Sequence, residues 1–177
     1  MATAAPRPAR ARQTRSASKT ARPRRSGIER FRDFLGRGRP GPHHHVVLLG
    51  LETFNPRELL QAVAEGLPYS AFAAFLANTS MSVGDVLLLL DIPPRTLTRR
   101  KQEGRFRHDE SDRLMRASRV FARALGLFEG DRAAAMHWLA EPQKALGGER
   151  PLVLARTELG ALEVERLIGR LEHGVFT

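Results

Sequence analysis

From residue 46 onward, apolar side chains recur at three- and four-residue spacing, and that period predicts helices. Asn55-Pro56-Arg57-Glu58 reads as a capping box, with Asn at the N-cap, Pro at N1 and Glu at N3. It opens a helix to about Glu65, which Gly66 and Pro68 close. Ser70 opens a second, with Phe72, Phe75 and Leu76 as its apolar stripe. Ser82-Val83-Gly84-Asp85 caps a third, whose Val86, Leu87, Leu89 and Leu90 are core candidates. Asp109 and Asp112 cap a long helix with Leu114, Ala117, Ser118, Phe121, Ala124, Leu125 and Phe128 on one face, ended by Gly130. Asp131 starts a shorter helix carrying Ala134, Ala135, Trp138 and Leu139. Pro142 to Leu146 predicts one helical turn stopped by Gly147-Gly148, and Pro151-Leu152-Val153-Leu154 a short extended or buried link. Thr157 then N-caps a last helix to about His173. The expected fold is all-α.

The most informative stretch is Asp91-Ile92-Pro93-Pro94-Arg95-Thr96-Leu97-Thr98-Arg99-Arg100-Lys101-Gln102. A two-turn helix stops at Asp91, a tight turn buries Ile92, and Pro93-Pro94 starts another helix. That is helix-turn-helix punctuation. With Leu97 turned inward, Arg95, Thr98, Arg99 and Gln102 occupy the opposite side, and Arg100 and Lys101 flank the buried side. Major-groove reading needs such a row: Arg bonds guanine bidentately and Gln does the same for adenine. The expected DNA-binding residues are therefore Arg95, Thr96, Thr98, Arg99, Arg100, Lys101 and Gln102. Arg105, Arg107, Arg113, Arg116, Arg119 and Arg123 extend the charge. Residues 95–123 hold ten basic and four acidic side chains, while residues 46–94 hold one and five. The plainer reading is a solvated charged face on an ordinary helix pair.

Charge changes the picture at the N-terminus. The chain has 177 residues and a formal net charge of +10. Residues 1–45 hold 12 basic and 2 acidic side chains; residues 46–177 hold 17 of each. Residues 1–27 are nearly all Ala, Arg, Pro, Ser, Thr and Lys, too poor in large apolar side chains to offset the entropy of ordering, so a disordered tail is expected. As a polycation it would condense onto phosphate. A transit peptide or a true start nearer residue 46 are competing readings, though Pro6, Pro8 and Pro23 oppose an amphipathic helix. Ile28, Phe31, Phe34 and Leu35 have helical spacing and predict one isolated helix, followed by a Gly36–Pro42 linker. His43, His44 and His45 read as a solvated loop rather than a metal site. Zero Cys excludes disulfides, thiolate zinc and a Cys nucleophile. Apolar runs such as Val86 to Leu90 fall far short of the ~20 residues a bilayer crossing needs, so no membrane association is expected.

The C-terminal third carries a resemblance. Ala135-Met136-His137-Trp138-Leu139 and Pro142 are followed by Leu146-Gly147-Gly148, Pro151-Leu152, Thr157, Gly160-Ala161 and Val164. Ile168-Gly169-Arg170-Leu171-Glu172-His173-Gly174-Val175-Phe176 closes the run. In order and spacing this resembles the Xre/MbcA/ParS-type antitoxin family. The likeness spans roughly residues 46–177, since the Asn-Pro, Glu-Gly-Leu-Pro and Ile-Pro-Pro-Arg-Thr-Leu elements upstream resemble the family's Xre-like DNA-binding half. The basic tail is outside the pattern, and the chain ends one residue after Phe176. The resemblance implies a cytoplasmic, homodimeric antitoxin of a type II toxin–antitoxin system, without cofactor or catalytic activity. Such a protein represses its own operon through the helix-turn-helix and neutralises a RES-domain, NAD-depleting toxin through its C-terminal half. The expected organisation is a disordered basic tail and linker over 1–45, an Xre-like helix-turn-helix DNA-binding domain over 46–126 and a toxin-binding domain over 127–177.

On the last helix, Gly160, Ala161, Val164, Leu167, Ile168 and Leu171 form a broad apolar face that should pack on the domain. The other side carries Leu159, Leu162, Arg166, Arg170 and His173, and two Leu among polar neighbours suggest a partner surface. With Gly174, Val175 and Phe176 at the chain end, these are the expected toxin-binding residues. The plainer alternative is a helix buried on both sides in the domain or its dimer. No HExxH, phosphate loop or supported acid pair is present, and Arg170, Glu172 and His173 diverge on a helix. Neither a catalytic nor a metal site is expected. A stand-alone helix-turn-helix regulator with a dimerising or ligand-binding C-terminal domain is the remaining alternative.

Overall fold

The computed structural model describes residues 25–37 and 43–174. Among them it is helical throughout, with a single isolated bridge, Pro68 to Arg105, in place of any strand. Helix α1 spans Gly27–Gly36, followed by a 3-10 turn at His44–Leu49. Helices α2 (Pro56–Glu65), α3 (Tyr69–Thr79), α4 (Val83–Leu90), α5 (Pro94–Glu103) and α6 (His108–Leu127) come next. Helix α7 is Arg132–Ala140, a 3-10 turn occupies Lys144–Leu146, α8 is Pro151–Leu154 and α9 is Glu158–Glu172.

The capping residues explain these starts. Asn55 accepts from the Arg57 N–H rather than from Glu58, whose carboxylate instead takes the Thr53 hydroxyl. Ser82 accepts from Asp85 N–H, Asp131 from Ala133 and Ala134, and Thr157 from Gly160. Helix α6 starts one residue before the expected Asp cap. Its N3 residue Glu110 takes the Arg107 N–H at 2.8 Å, so the acidic cap comes from inside the first turn.

Helix α6 is the axis of the molecule. Its Leu114, Ala117, Val120, Phe121, Ala124 and Leu125 are buried against α2, α4, α7, α9 and the first 3-10 turn. One continuous core runs from Ile28 in α1 to Ile168 in α9. The expected boundary at residue 126 falls in the last turn of α6, which therefore serves both halves.

Three sequence expectations need correction. Helix α1 is not isolated: Phe31 is 2% exposed and Ile28 is buried with it. Its first turn is tied by Ile28 N–H to Asn78 Oδ1 at 3.0 Å, while Asn78 Nδ2 donates to Leu48 O at 3.0 Å. Arg32 Nε donates to Gly130 O at 3.0 Å, fastening the helix across the end of α6. The histidines are not a solvated loop. His45 is buried, and the His44 ring stacks on Phe34 with centroids 4.2 Å apart and meets Phe54 edge-on at 5.0 Å. Of the two readings of 151–154, extended or buried, the link is not extended but one turn of helix started by Pro151 at N1, and Pro151 and Leu152 are buried as the other reading expected. The disorder expected over 1–27 and the linker expected over 36–42 are each cut short by α1, which Ser26 caps and which includes Gly27 and Gly36; residues 1–24 and 38–42 lie outside the described residues.

Candidate DNA and toxin interfaces

Helix α4 ends where Asp91 takes a left-handed conformation (φ 51°), and Ile92 N–H donates back to Leu87 O at 3.1 Å. Ile92 is buried, and the chain leaves at a fixed angle into Pro93 and α5. The helix-turn-helix is therefore set by one Asp cap, one buried Ile and two prolines that cannot continue α4.

Along α5, Leu97 packs on the core, and Arg95, Thr98, Arg99, Lys101 and Gln102 are exposed. Thr96 is half-buried, and the Thr98 hydroxyl bonds its own helix at Pro94 O, 3.3 Å away. Arg99 lies 3.8 Å from Glu103, a long surface pair that leaves the guanidinium available. Arg100 is the exception. It is 2% exposed; its Nε donates to Glu110 at 2.6 Å, and its Nη1 also pairs with Glu103. The bond to Glu110 holds the guanidinium above its ordinary pKa against the cost of burial. Sitting 60° from Leu97 on the wheel, Arg100 belongs to the packed face and is withdrawn from the candidate DNA surface.

The arginines of α6 are likewise spent inside the molecule. Arg116 is buried, donating Nε to Ala155 O at 3.3 Å and Nη2 to Arg156 O at 2.7 Å. Arg119 donates to Glu165 and Glu158, each at 2.7 Å, and Arg123 to Glu172 at 3.1 Å. This ladder of α6 arginines against α9 carboxylates clamps the C-terminal helix down. Arg156 pairs in turn with Asp91, linking the turn of the helix-turn-helix to the segment before α9. In the sequence these cations extend the positive charge that begins on α5. Their signal was the matching acid series Glu158, Glu165 and Glu172, spaced by sevens on one face.

Helix α9 buries Gly160, Ala161, Val164, Leu167 and Ile168, with Leu171 half-buried. Gly160 allows the close approach: a Cβ there would lie 2.0 Å from Leu154 O. On the opposite side Leu159 is 70% exposed and Leu162 39%. Arg166, paired with Glu163 at 2.5 Å, is exposed, as are Arg170, His173 and Gly174. Gly174 has φ 68°, so the chain turns away from the helix axis there. Val175 and Phe176 lie outside the described residues. Among the described residues no helix is long and apolar enough to cross a membrane, and no three His, Asp or Glu side chains gather as a metal set.

Two family models match this architecture. Residues 58–119 match the Antitoxin Xre-like helix-turn-helix domain, and residues 123–174 match the Antitoxin Xre/MbcA/ParS C-terminal toxin-binding domain. The chain is 40% identical over 130 residues to a protein named Antitoxin Xre from Yersinia enterocolitica, covering 73% of this chain and 88% of that one. A second Antitoxin Xre, from Photorhabdus laumondii, is 39% identical over 112 residues, 63% of this chain and 76% of its own length. A third, from Pseudomonas putida, is 33% identical over 84 residues, 47% and 52% respectively. The turn geometry at Asp91–Pro94 falls within the first matched segment, and the solvent-facing leucines of α9 within the second. The chain belongs to the Antitoxin Xre family: it is a non-enzymatic antitoxin with a DNA-binding half and a toxin-binding half.

Proposed function

We propose that the chain is the antitoxin of a RES-type, NAD-depleting toxin, acting as a homodimer in the cytoplasm. In this reading it blocks the toxin through the outer face of α9 and represses its own operon through α5. The observation that carries the reading is the pair Leu159 and Leu162, one helical turn apart and outside the core, within the segment matched to the toxin-binding domain. Two aliphatic side chains framed by Arg166 and Arg170 suit a partner with an apolar pocket and an anionic or carbonyl rim. Val175 and Phe176, the residues that follow Gly174, are the proposed plug of a toxin cleft.

Base reading falls to Arg95, Arg99 and Gln102, with Thr96, Thr98 and Lys101 at their edges. Arg95 and Arg99 are the residues expected to bond guanine.

The test is co-expression with the toxin encoded by the neighbouring gene, scored for growth, cellular NAD and co-purification. The intact chain should restore growth and hold NAD at its uninduced level. A folded variant ending at Gly169 should fail at both while still binding DNA. Full rescue by that variant would contradict the reading. An intact chain that binds operator but never recovers a neighbouring protein would favour a stand-alone regulator whose leucines serve its own dimer.

A further inference from the structure

Ten basic side chains lie between residues 95 and 123, and the structure sorts them. Arg100, Arg113, Arg116, Arg119 and Arg123 are engaged with carboxylates. Among the described residues, Arg105 and Arg107 are exposed and no carboxylate pairs with either guanidinium. They flank Phe106, which is buried on Tyr69 and Phe72 with ring centroids 6.1 and 5.9 Å away. With Arg107 extended (φ −77°, ψ 167°) and Phe106 turned inward, the two arginines alternate outward.

The segment is held unusually firmly for a surface loop. Tyr69 N–H donates to Gly104 O, and Phe106 N–H to Leu67 O, each at 2.8 Å, forming the only bridge among the described residues. Gly66 makes room, because a Cβ there would lie 2.0 Å from Phe106 O. On the far side, one Glu110 oxygen accepts both from Arg107 N–H at 2.8 Å and from Arg100 Nε at 2.6 Å. The buried Arg100 therefore fixes α5 and the Arg105–Arg107 segment to a single carboxylate. The two backbone positions that carry these unneutralised arginines stand roughly 6.6 Å apart along an extended chain at ~3.3 Å per residue. They follow directly on the cap of the candidate recognition helix, at a spacing suited to neighbouring phosphates on one strand.

We infer that Arg105 and Arg107 form a preset wing that grips the DNA backbone beside the groove read by α5, supplying affinity and register without base preference. This rests on α5 being the reading helix. Phosphate contacts position a protein on the duplex and appear as salt dependence, with about 0.9 unit of log–log slope per phosphate neutralised. Two such contacts supply ~1.8 units, so the deficit of a variant lacking them is about 12-fold larger at 50 mM than at 200 mM salt.

The experiment measures fluorescence anisotropy of the full chain on a labelled duplex from its own promoter, and on a scrambled duplex, across salt. Arg105→Gln/Arg107→Gln should flatten the slope by ~1.8 and weaken both duplexes by the same factor. Its melting temperature should not move, and Arg105→Lys/Arg107→Lys should recover most of the slope. An unchanged slope overturns the inference, as does a loss confined to the promoter duplex or a fall in melting temperature without a slope change. Failure of the underlying reading looks different. Wild-type protein would then bind promoter and scrambled duplex equally, or Arg95→Ala/Arg99→Ala would leave promoter preference intact. If wild-type protein bound neither duplex, both readings would fall together.

Discussion

Replacing Arg100 by Gln should cost stability and leave DNA recognition alone. The guanidinium is 2% exposed, and the Glu110 carboxylate it pairs with is 6% exposed. Removing one member of a buried pair costs about 3–5 kcal/mol, because the survivor is left as an uncompensated charge. Glu110 would keep the N–H of Arg107, a charge-assisted bond, which places the loss near the lower end, about 3 kcal/mol. For a chain of this size each kcal/mol corresponds to ~2–4 °C, so the melting temperature should fall by about 6–12 °C. Thermal unfolding followed by circular dichroism reads this directly. Arg100→Met/Glu110→Leu strands no charge and should recover most of the loss. Anisotropy well below the transition should show the Arg100→Gln salt slope unchanged. An unaltered melting temperature with a slope reduced by ~0.9 would refute the reasoning and return Arg100 to the DNA backbone.

Phe31→Ala should destabilise by about 3–5 kcal/mol in chemical denaturation, since it empties a buried aromatic site between α1 and the core. Removing residues 1–24 should leave that stability intact and weaken binding to scrambled DNA at low salt, as cationic side chains are lost. Leu159→Asp/Leu162→Asp should keep the melting temperature and raise the toxin dissociation constant by about 30-fold or more in a titration, the effect of losing ~2 kcal/mol at an interface centre. Gly160→Ala should lower the melting temperature, because its Cβ would meet Leu154 O at 2.0 Å and α9 would have to lift from α8.

The helix-turn-helix was legible because its signals are local. Ser82, Asp91, Ile92 and the paired prolines act on their own backbone within a few residues, and the structure places each where spacing put it. The buried face of α9 was legible for the same reason, a helical period with Thr157 at its start. What escaped depends on distant partners. The spacing of Ile28 and Phe31 predicted a helix but not its docking, because Asn78, fifty residues on from Ile28, and the core beneath Phe31 hold α1 in place. The first 3-10 turn buries Val46 through Leu49 consecutively, which leaves no period to read. Arg100 and Arg99 are equivalent in propensity, and only Glu110 and the packed side of α5 decide which one faces solvent. The α6 arginines posed the same problem, as their carboxylate partners lie some forty residues away.

The central claim is that operator reading and toxin capture sit on separate faces, α5 and α9. The most direct measurement pairs two variants in one strain carrying the neighbouring toxin and a reporter under the protein's own promoter. Arg95→Ala/Arg99→Ala should release the reporter, with ~1–3 kcal/mol lost per arginine on operator DNA, and still rescue growth. Leu159→Asp/Leu162→Asp should lose rescue while the reporter stays repressed. If either folded variant loses both activities together, or the arginine variant represses normally, the two-face account is wrong.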